Sequence, residues 1–434
     1  MCTDERPPRI RLGVFDIDGV LRGKYVSKKK FEAAAENGLG FCDVIFGWDL
    51  ADELCSNIRY TGWHTGYPDL QARIDTSSKR SVPWESNTDL YLLDLYCANG
   101  QPLPISPRNV LRHVIEHTRS LGFEACFGVE YEFWFFAETP QSVRAKGFNQ
   151  LNNLSPGMLG YSILRTSQQS ALIRDLLEYM AAYDIELEGL HTETGPGVYE
   201  AAITADTALA AADKAALFKT ATKEIAARHG LIATFMAKWN TRLPGSSGHL
   251  HQSLWAKDSK TNLFVSEPFM RSYIEGILDH MIELTAIFCP TINSYKRLAP
   301  GTWAPVNASW GFDNRTTAIR ALPGSVKTSR IELRLCGADI NPHLAIAASL
   351  AAGTDGVIRG LTAREPSQNG YASDGPELPR TLRDATELFK TSRFAMEWLG
   401  SEFVRHYTET REWEWRQFER SVTNWELERY LESV

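Results

Sequence analysis

Apolar and polar positions alternate with a period of two over residues 10–27, and the run closes in Gly-containing turns. That pattern predicts a hairpin of two strands. Ser27 then opens a helix to about Asn37, with Gly38 as its stop. Residues 39–100 hold short apolar runs broken by Gly, Pro, Asp and Ser. They predict a small strand-rich unit in which YLLDLY, ahead of the Asn99-Gly100 turn, is a strand. Ser106-Pro107 opens a helix to about Leu121, and the boundary between a domain at 1–105 and a larger one at 106–434 is expected there. Next come a strand (ACFGVEYEFWFFA), a Gly/Asn/Pro-rich loop at 147–160, and a helix from Ser167 to Tyr183. IELEGLHTE and GVYEAAI read as strands, and an Ala-rich helix spans 205–229 and stops at Gly230. LIATFMAKW and SGHLHQSLW read as strands, followed by a helix at 268–287. Residues 293–334 follow as loop, strand, turn and strand. Helices at 342–360 and 380–399 and a Trp-rich amphipathic tail at 411–432 close the pattern. Strands interleaved with helices give an α+β class.

The length of 434 residues suits one large domain with a smaller one. A net charge of -7 argues against a general nucleic-acid or membrane-surface role. The start MCTDERPPRIR has no signal-peptide pattern, and no apolar run reaches the length of a membrane span. Seven scattered cysteines without a CxxC pair suit reduced thiols in a cytoplasmic protein.

Against that acidic background, residues 293–334 carry Lys296, Arg297, Arg315, Arg320, Lys327, Arg330 and Arg334, opposed only by Asp313 and Glu332. Arginine forks pair with carboxylates and phosphates, so the stretch is expected to grip an anion. Carboxylates recur elsewhere at matched spacing. Glu130 and Glu132 lie two apart on one strand, as do His249 and His251, and Glu332 and Arg334; Glu193 and Glu200 flank a turn. Residues i and i+2 of a strand share a face, so each strand pair aims two polar groups at one surface. Converging half-buried acids demand cations. A carboxylate-rich set with few imidazoles suits Mg²⁺ or Mn²⁺ better than zinc. The alternative is that these acids pair with the arginines of 293–334 or are exposed.

Divalent metals beside arginines point to ATP chemistry, in which a protein positions phosphates and neutralises their charge. No Walker A motif is present: Gly324-Ser325-Val326-Lys327 lacks the adjacent Gly-Lys pair and the spacing. The nucleotide is therefore expected in a cleft of strands.

In this order and spacing, VEYEFWFF, HTETGPGVYE, GSSGHLHQSL, NSYKRLAPGTWAPV, NRTTAIR and SRIELRL followed by NPHLA resemble the glutamine synthetase family, in its bacterial type I-like branch. VPW at 82–84 and SPRNVL at 106–111 add to the likeness, which covers most of the chain. The resemblance implies a small N-terminal β-grasp domain and a larger catalytic domain with a curved antiparallel sheet and surrounding helices. It implies self-association into rings, usually dodecamers, with active sites between subunits. It also implies ATP-dependent ligation: the γ-carboxylate of L-glutamate attacks the terminal phosphate of ATP, and an amine then displaces phosphate. Carried over by position, Glu132, Glu193 and Glu200 would hold one metal, and Glu130, His249 and Glu332 a second. Arg297 and Arg334 would bind the glutamate carboxylate and the transferring phosphate, with Glu132 and Gly245 near glutamate. Arg315 and Arg320 would face the phosphates. Glu188, His251, Ser253, Lys327 and Arg330 would lie on the nucleotide side.

The amine side departs from the family pattern. Members that use ammonia carry a Glu in KRLxPGxE; this chain has Trp303 there. Indole accepts no proton and carries no charge, and its face favours an apolar or aromatic body or a cation over the ring. The family's Asp-Gly-Ser-Ser run, which supplies an acid from the neighbouring subunit, is absent, and Asp49 is the nearest candidate. Pro244 replaces the usual Asn beside the Gly-rich loop, and no segment resembling the regulatory adenylylation site is evident. An organic amine, such as a polyamine, alkylamine or aromatic amine, is the expected acceptor. Ammonia and a catalytically silent scaffold are the alternatives. Two further motifs look like other chemistry. FDIDGVL at 15–21 imitates a haloacid-dehalogenase nucleophile motif, and a β-turn between two strands accounts for it. His191-Thr192-Glu193 imitates half of a zinc deaminase signature without the PCxxC that should follow.

Overall fold

The structure is a computed structural model that describes residues 8–257, 260–371 and 375–434. Most of the N-terminal stretch read for a signal peptide, and Cys2, lie outside these residues.

β1 (Arg9–Phe15), β2 (Leu21–Val26), β3 (Leu39–Cys42), β4 (Asp69–Ser81) and β5 (Thr88–Tyr96) form one sheet in the order β2-β1-β5-β4-β3. β1 and β5 run parallel at its centre, and the other pairs are antiparallel. Alternate residues Ile10, Leu12 and Val14 of β1 and Tyr91, Leu93 and Leu95 of β5 share one core. The helix Lys28–Asn37 sends Ala34 and Phe31 to that core. Ser27 caps its start by accepting from the Lys30 amide, as the sequence predicts.

The second sheet contains β6 (Phe123–Phe136), β7 (Leu187–Thr192), β8 (Val198–Ile203), β9 (Asp206–Thr207), β10 (Ile232–Thr234), β11 (Gly248–Ala256), β12 (Trp310–Phe312), β13 (Ile319–Leu322) and β14 (Arg330–Leu333). Its order is β12-β13-β14-β11-β6-β8-β7, with β9 and β10 also on β6. Its pairings are antiparallel except β12 with β13. One face buries Val129, Tyr131, Phe133, Tyr199, Leu250 and Leu333. The helices Pro107–Ser120, Ala208–Arg228, Glu267–Phe288 and Pro342–Ile358 supply residues to the same core. The strand period therefore turns Glu130 and Glu132, which alternate with these apolar residues, to the other face.

Several elements differ from the sequence expectation. The helix expected over Ser167–Tyr183 is two, Ile163–Gln168 and Ser170–Ala182, and Ser162 caps the first by accepting from the Arg165 amide. LIATFMAKW pairs only over β10; beyond it the Met236 amide donates to Thr234 Oγ1 at 3.2 Å, and the Asn293 side chain takes both the amide and the carbonyl of Lys238 (2.7 Å each). The expected helix at 380–399 ends at Thr391, where Ser392 caps a new turn that passes through a π-turn, Met396–Gly400. The Trp-rich tail is not one helix. Trp413 and Trp415 lie on Ser401–Arg420, and a reciprocal Thr423–Glu426 capping box starts a separate helix, Asn424–Tyr430.

Two of the junctions that tie the first sheet to the rest are networks of charged side chains. Asp16 accepts from the amides of Asp18 and Val20 (3.1 and 2.9 Å) and from Arg22 (2.8 Å). Asp18 pairs with Arg411 at 2.5 Å, and Asn341 donates to the carbonyls of Asp16 and Ile17. FDIDGVL is thus a turn whose acids are engaged in holding elements together, which leaves no free nucleophile. The second junction is Arg108, whose buried guanidinium meets Asp75 of β4 at 2.7 Å, Asp94 of β5 at 2.6 Å and Asp213 at 2.8 Å.

Candidate active site

The register of the second sheet assembles the site as rows of side chains. Glu132 stands opposite Glu200, and Glu200 opposite His191. Glu130 stands opposite His249. His251 stands opposite Glu332, and Glu332 opposite Arg320. The strands therefore bring these groups to one face, and each expected i, i+2 pair does share that face.

A cavity of about 630 Å³ opens on this face. Glu130, Glu132, Glu193, Glu200 and His249 line one side of it; Arg297, Arg315 and Arg334 also reach it, as do Gly245 and Trp303. Glu332 lies behind this lining, 1% exposed. It pairs with Arg334 and accepts from Arg320 at 2.9 Å. One of the acids thus does pair with the arginines of 293–334. The others find imidazoles or amides. Glu132 accepts from the Ser247 amide at 2.8 Å, and His191 Nε2 lies 3.1 Å from Glu200.

Among the described residues, two groups of donors converge closely enough to share an ion: Glu130 with His251 and Glu332, and His191 with Glu193 and Glu200. His249 Nδ1 lies 3.0 Å from Glu130 Oε1 and 3.2 Å from Glu332 Oε1. Burial, with Arg334 nearby, pushes His249 down to about 4, so its ring is neutral near pH 7. Its Nε2 is buried without a partner. Burial and the neighbouring Glu200 push Glu132 up to about 8. A carboxylate raised in this way is short of positive charge, and the donors are mostly oxygen. The residues fit a divalent cation of the Mg²⁺ or Mn²⁺ kind. His191 is the residue that sequence reasoning passed over, as half of a deaminase look-alike. Its spacing of two from Glu193 was the available signal. Glu200 raises its pKa, and Tyr161 stacks on its ring at 4.3 Å.

The arginines differ in their freedom. Arg297 is buried and donates to the carbonyls of Leu335 (2.9 Å) and Arg334 (3.0 Å) and to Ser247 Oγ (3.0 Å). Gly245 packs against it: a Cβ there would meet Arg297 Cγ at 2.8 Å and the Ala237 carbonyl at 2.7 Å. Arg330 donates to His251 Nδ1 at 3.3 Å, one row beyond the cavity. Ser253 accepts from Trp255 Nε1, and Lys327 and Glu188 are exposed; none of the three lines the cavity. Asp49 also lies outside it, held by Trp413 Nε1 at 2.8 Å and by the amides of Ala51 and Glu53. Trp303 is 63% exposed and sits in the left-handed region at φ 60°, its amide donating to the Tyr371 hydroxyl at 2.6 Å.

The family model described as "Glutamine synthetase, catalytic domain" matches residues 104–430. The chain belongs to the glutamine synthetase family. It is 48% identical to type-1 glutamine synthetase 2 of Dictyostelium discoideum, over 99% of this chain and 84% of that one. It is 40% identical to the glutamate–isopropylamine ligase of a Pseudomonas species, over 98% and 95%. The solved structure of GmaS in complex with ADP superposes with a TM-score of 0.85 at 26% identity, covering 98% of this chain and 97% of that one. Family membership bears out the α+β fold expected of a synthetase, with its smaller N-terminal sheet and larger catalytic part. Among the described residues, no helix is long and apolar enough to cross a membrane.

Proposed function

We propose that the protein joins the γ-carboxylate of L-glutamate to an organic amine, using ATP and passing through γ-glutamyl phosphate, with release of ADP and phosphate. The observation that carries this reading is Trp303: an exposed indole borders the catalytic cavity where ammonia-using relatives of the resembled pattern carry a carboxylate. A relative named as an isopropylamine ligase supports it. Glu132, Glu193, Glu200 and His191 would hold one Mg²⁺ or Mn²⁺, and Glu130, His249 and Glu332 another. When bound, such ions neutralise phosphate charge and fix its orientation. Arg334 and Arg315 bring positive charge to the same space, where it stabilises the transferring phosphoryl group. Arg297, fixed by two carbonyls and Ser247, shapes the glutamate end together with Gly245. Arg320, His251, Ser253, Lys327, Arg330 and Glu188 are assigned to the nucleotide side.

Phosphate release from ATP tests the reading. It should require glutamate, a divalent cation and an organic amine. Saturation by ammonia as effective as by any amine would overturn it and favour a glutamine synthetase, the second reading, which the Dictyostelium relative supports. Gly245→Ala should raise the KM for glutamate about tenfold or more, through displacement of Arg297, with a smaller effect on the KM for ATP.

Asp49 lies outside the cavity of its own chain, which is consistent with its serving a neighbouring subunit in a ring. Exposed Trp425, Leu427, Tyr430 and Leu431 in the last helix and just beyond it are further apolar surface suited to self-association. Removal of residues 423–434 should lower the mass measured by light scattering.

A further inference from the structure

Trp303 borders more than the catalytic cavity. A second hollow of about 460 Å³ shares Trp303 and Arg315 with the first and is lined also by Phe312, Asp313, Pro366 and Gln368. We infer that the distal part of the acceptor amine occupies this second hollow, and that the acceptor is a monoamine with an aromatic body, an arylalkylamine rather than a diamine or polyamine. The inference rests on the amine-ligase reading above and names its substrate class.

Three observations carry it. First, the hollow is flanked by two large aromatic side chains left open to solvent, Trp303 at 63% and Phe312 at 39%. Aromatic walls with a few polar groups are what a small-molecule site presents. Second, the backbone that carries Trp303 and the ring of Phe312 are held in place before any ligand arrives. The Trp303 amide donates to the Tyr371 hydroxyl, and the Tyr371 amide donates to Thr316 Oγ1 at 3.1 Å. Phe312 meets the edge of Trp310 at 5.1 Å, and the Arg271 guanidinium lies 5.7 Å from the Phe312 centroid and 5.2 Å from that of Trp310. A wall already ordered spares the ligand that entropic cost.

Third, the charge disfavours a second ammonium. Among the described residues, Asp313 is the acid that lines the hollow, and its Oδ1 already accepts from Arg320 Nε at 2.9 Å and Nη2 at 2.6 Å. Arg315 adds a positive charge shared with the catalytic cavity. Among the described residues, the distal ammonium of a diamine would enter beside Arg315 and share the Asp313 carboxylate with Arg320. A neutral ring meets indole, phenyl and proline instead, and gains by stacking on them.

Gly370 makes the inference testable, because it lines this hollow and not the catalytic cavity. A Cβ there would lie 3.6 Å from Thr316 Cγ2 and 3.7 Å from its Oγ1, ordinary contact distances. The Cβ is therefore admitted without a clash, and Gly370→Leu adds bulk beyond it at the hollow. With ATP and glutamate saturating, the wild type should prefer phenethylamine to both ethylamine and putrescine. Gly370→Leu should lower the kcat/KM ratio of phenethylamine to ethylamine about tenfold or more, and Phe312→Ala, which removes a wall instead of filling the space, should lower it as well. Melting curves identify a variant that has failed to fold. A wild-type preference for putrescine, or a ratio unchanged in both folded variants, would sink the inference. Calorimetric binding of phenethylamine gives a readout independent of turnover. Binding by the wild type that is lost in Gly370→Leu supports the site, and absence of wild-type binding overturns it. Turnover of ethylamine without phenethylamine binding leaves the ligase reading standing and removes this one. Binding without turnover of any amine removes the ligase reading and, with it, the acceptor role assigned to this hollow.

Discussion

Replacing Glu332 by Gln is expected to lower kcat by about 10²–10³-fold, the scale on which removal of one preorganised electrostatic group acts. Glu332 is 1% exposed, between Arg320 and Arg334, with His249 Nδ1 at 3.2 Å. Burial opposes its ionisation, but His249 and Arg334 hold it down to about 2. It is therefore charged at every pH at which the protein would be assayed. The isosteric amide keeps the shape and removes the charge that the two arginines and a divalent cation would share. Equilibrium dialysis with Mn²⁺ should show affinity weakened by more than about tenfold. A Glu332→Gln variant within a few-fold of wild type at saturating Mg²⁺ would show that Glu332 only neutralises the arginines.

The largest structural effect is expected at Arg108. Arg108→Met leaves Asp75 and Asp94 to the part-exposed Arg112 and Asp213 to His343, and should cost about 3–5 kcal/mol in urea unfolding. The loss should also depend on pH with a definite sign. Burial opposes ionisation of Asp213, but Arg108 and His343 outweigh it and hold its carboxyl well below the usual carboxylate range. A depressed carboxylate contributes stability that is present above its unfolded value, near pH 4, and is lost as the pH falls toward its folded value. The difference between wild type and Arg108→Met should therefore be full near pH 7 and shrink in acid. A difference that stays constant down to about pH 3 would show that packing, not charge, is what Arg108 supplies.

Much of the site was legible because strands write their faces into sequence. Glu130 and Glu132, His249 and His251, and Glu332 and Arg334 announce a common surface by spacing alone, and the sheet register joins them. Helix starts were legible at Ser27, where a side chain caps the helix, and at Ser106-Pro107, where proline takes the first turn. Spacing could not show where backbone groups find partners outside the ladder. Asn293 takes the Lys238 peptide groups beyond β10, and Gln169 and Ser392 interrupt runs whose apolar periodicity continues. Nor could spacing rank the cations. Arg297, Arg320 and Arg334 look alike in sequence, yet one is bonded to carbonyls and two converge on Glu332. His191 was not legible as a donor, because spacing alone does not set its strand in register opposite Glu200.

Trp303 carries an evolutionary consequence. At φ 60° a side chain with a Cβ sits in a region that glycine occupies freely and bulky residues avoid. Mutational drift acting on backbone comfort alone would replace this tryptophan by glycine or asparagine. A lineage that retains the indole there pays about 1–2 kcal/mol for it in every generation. That makes the identity of residue 303 across descendants a record of continued selection for whatever the indole touches.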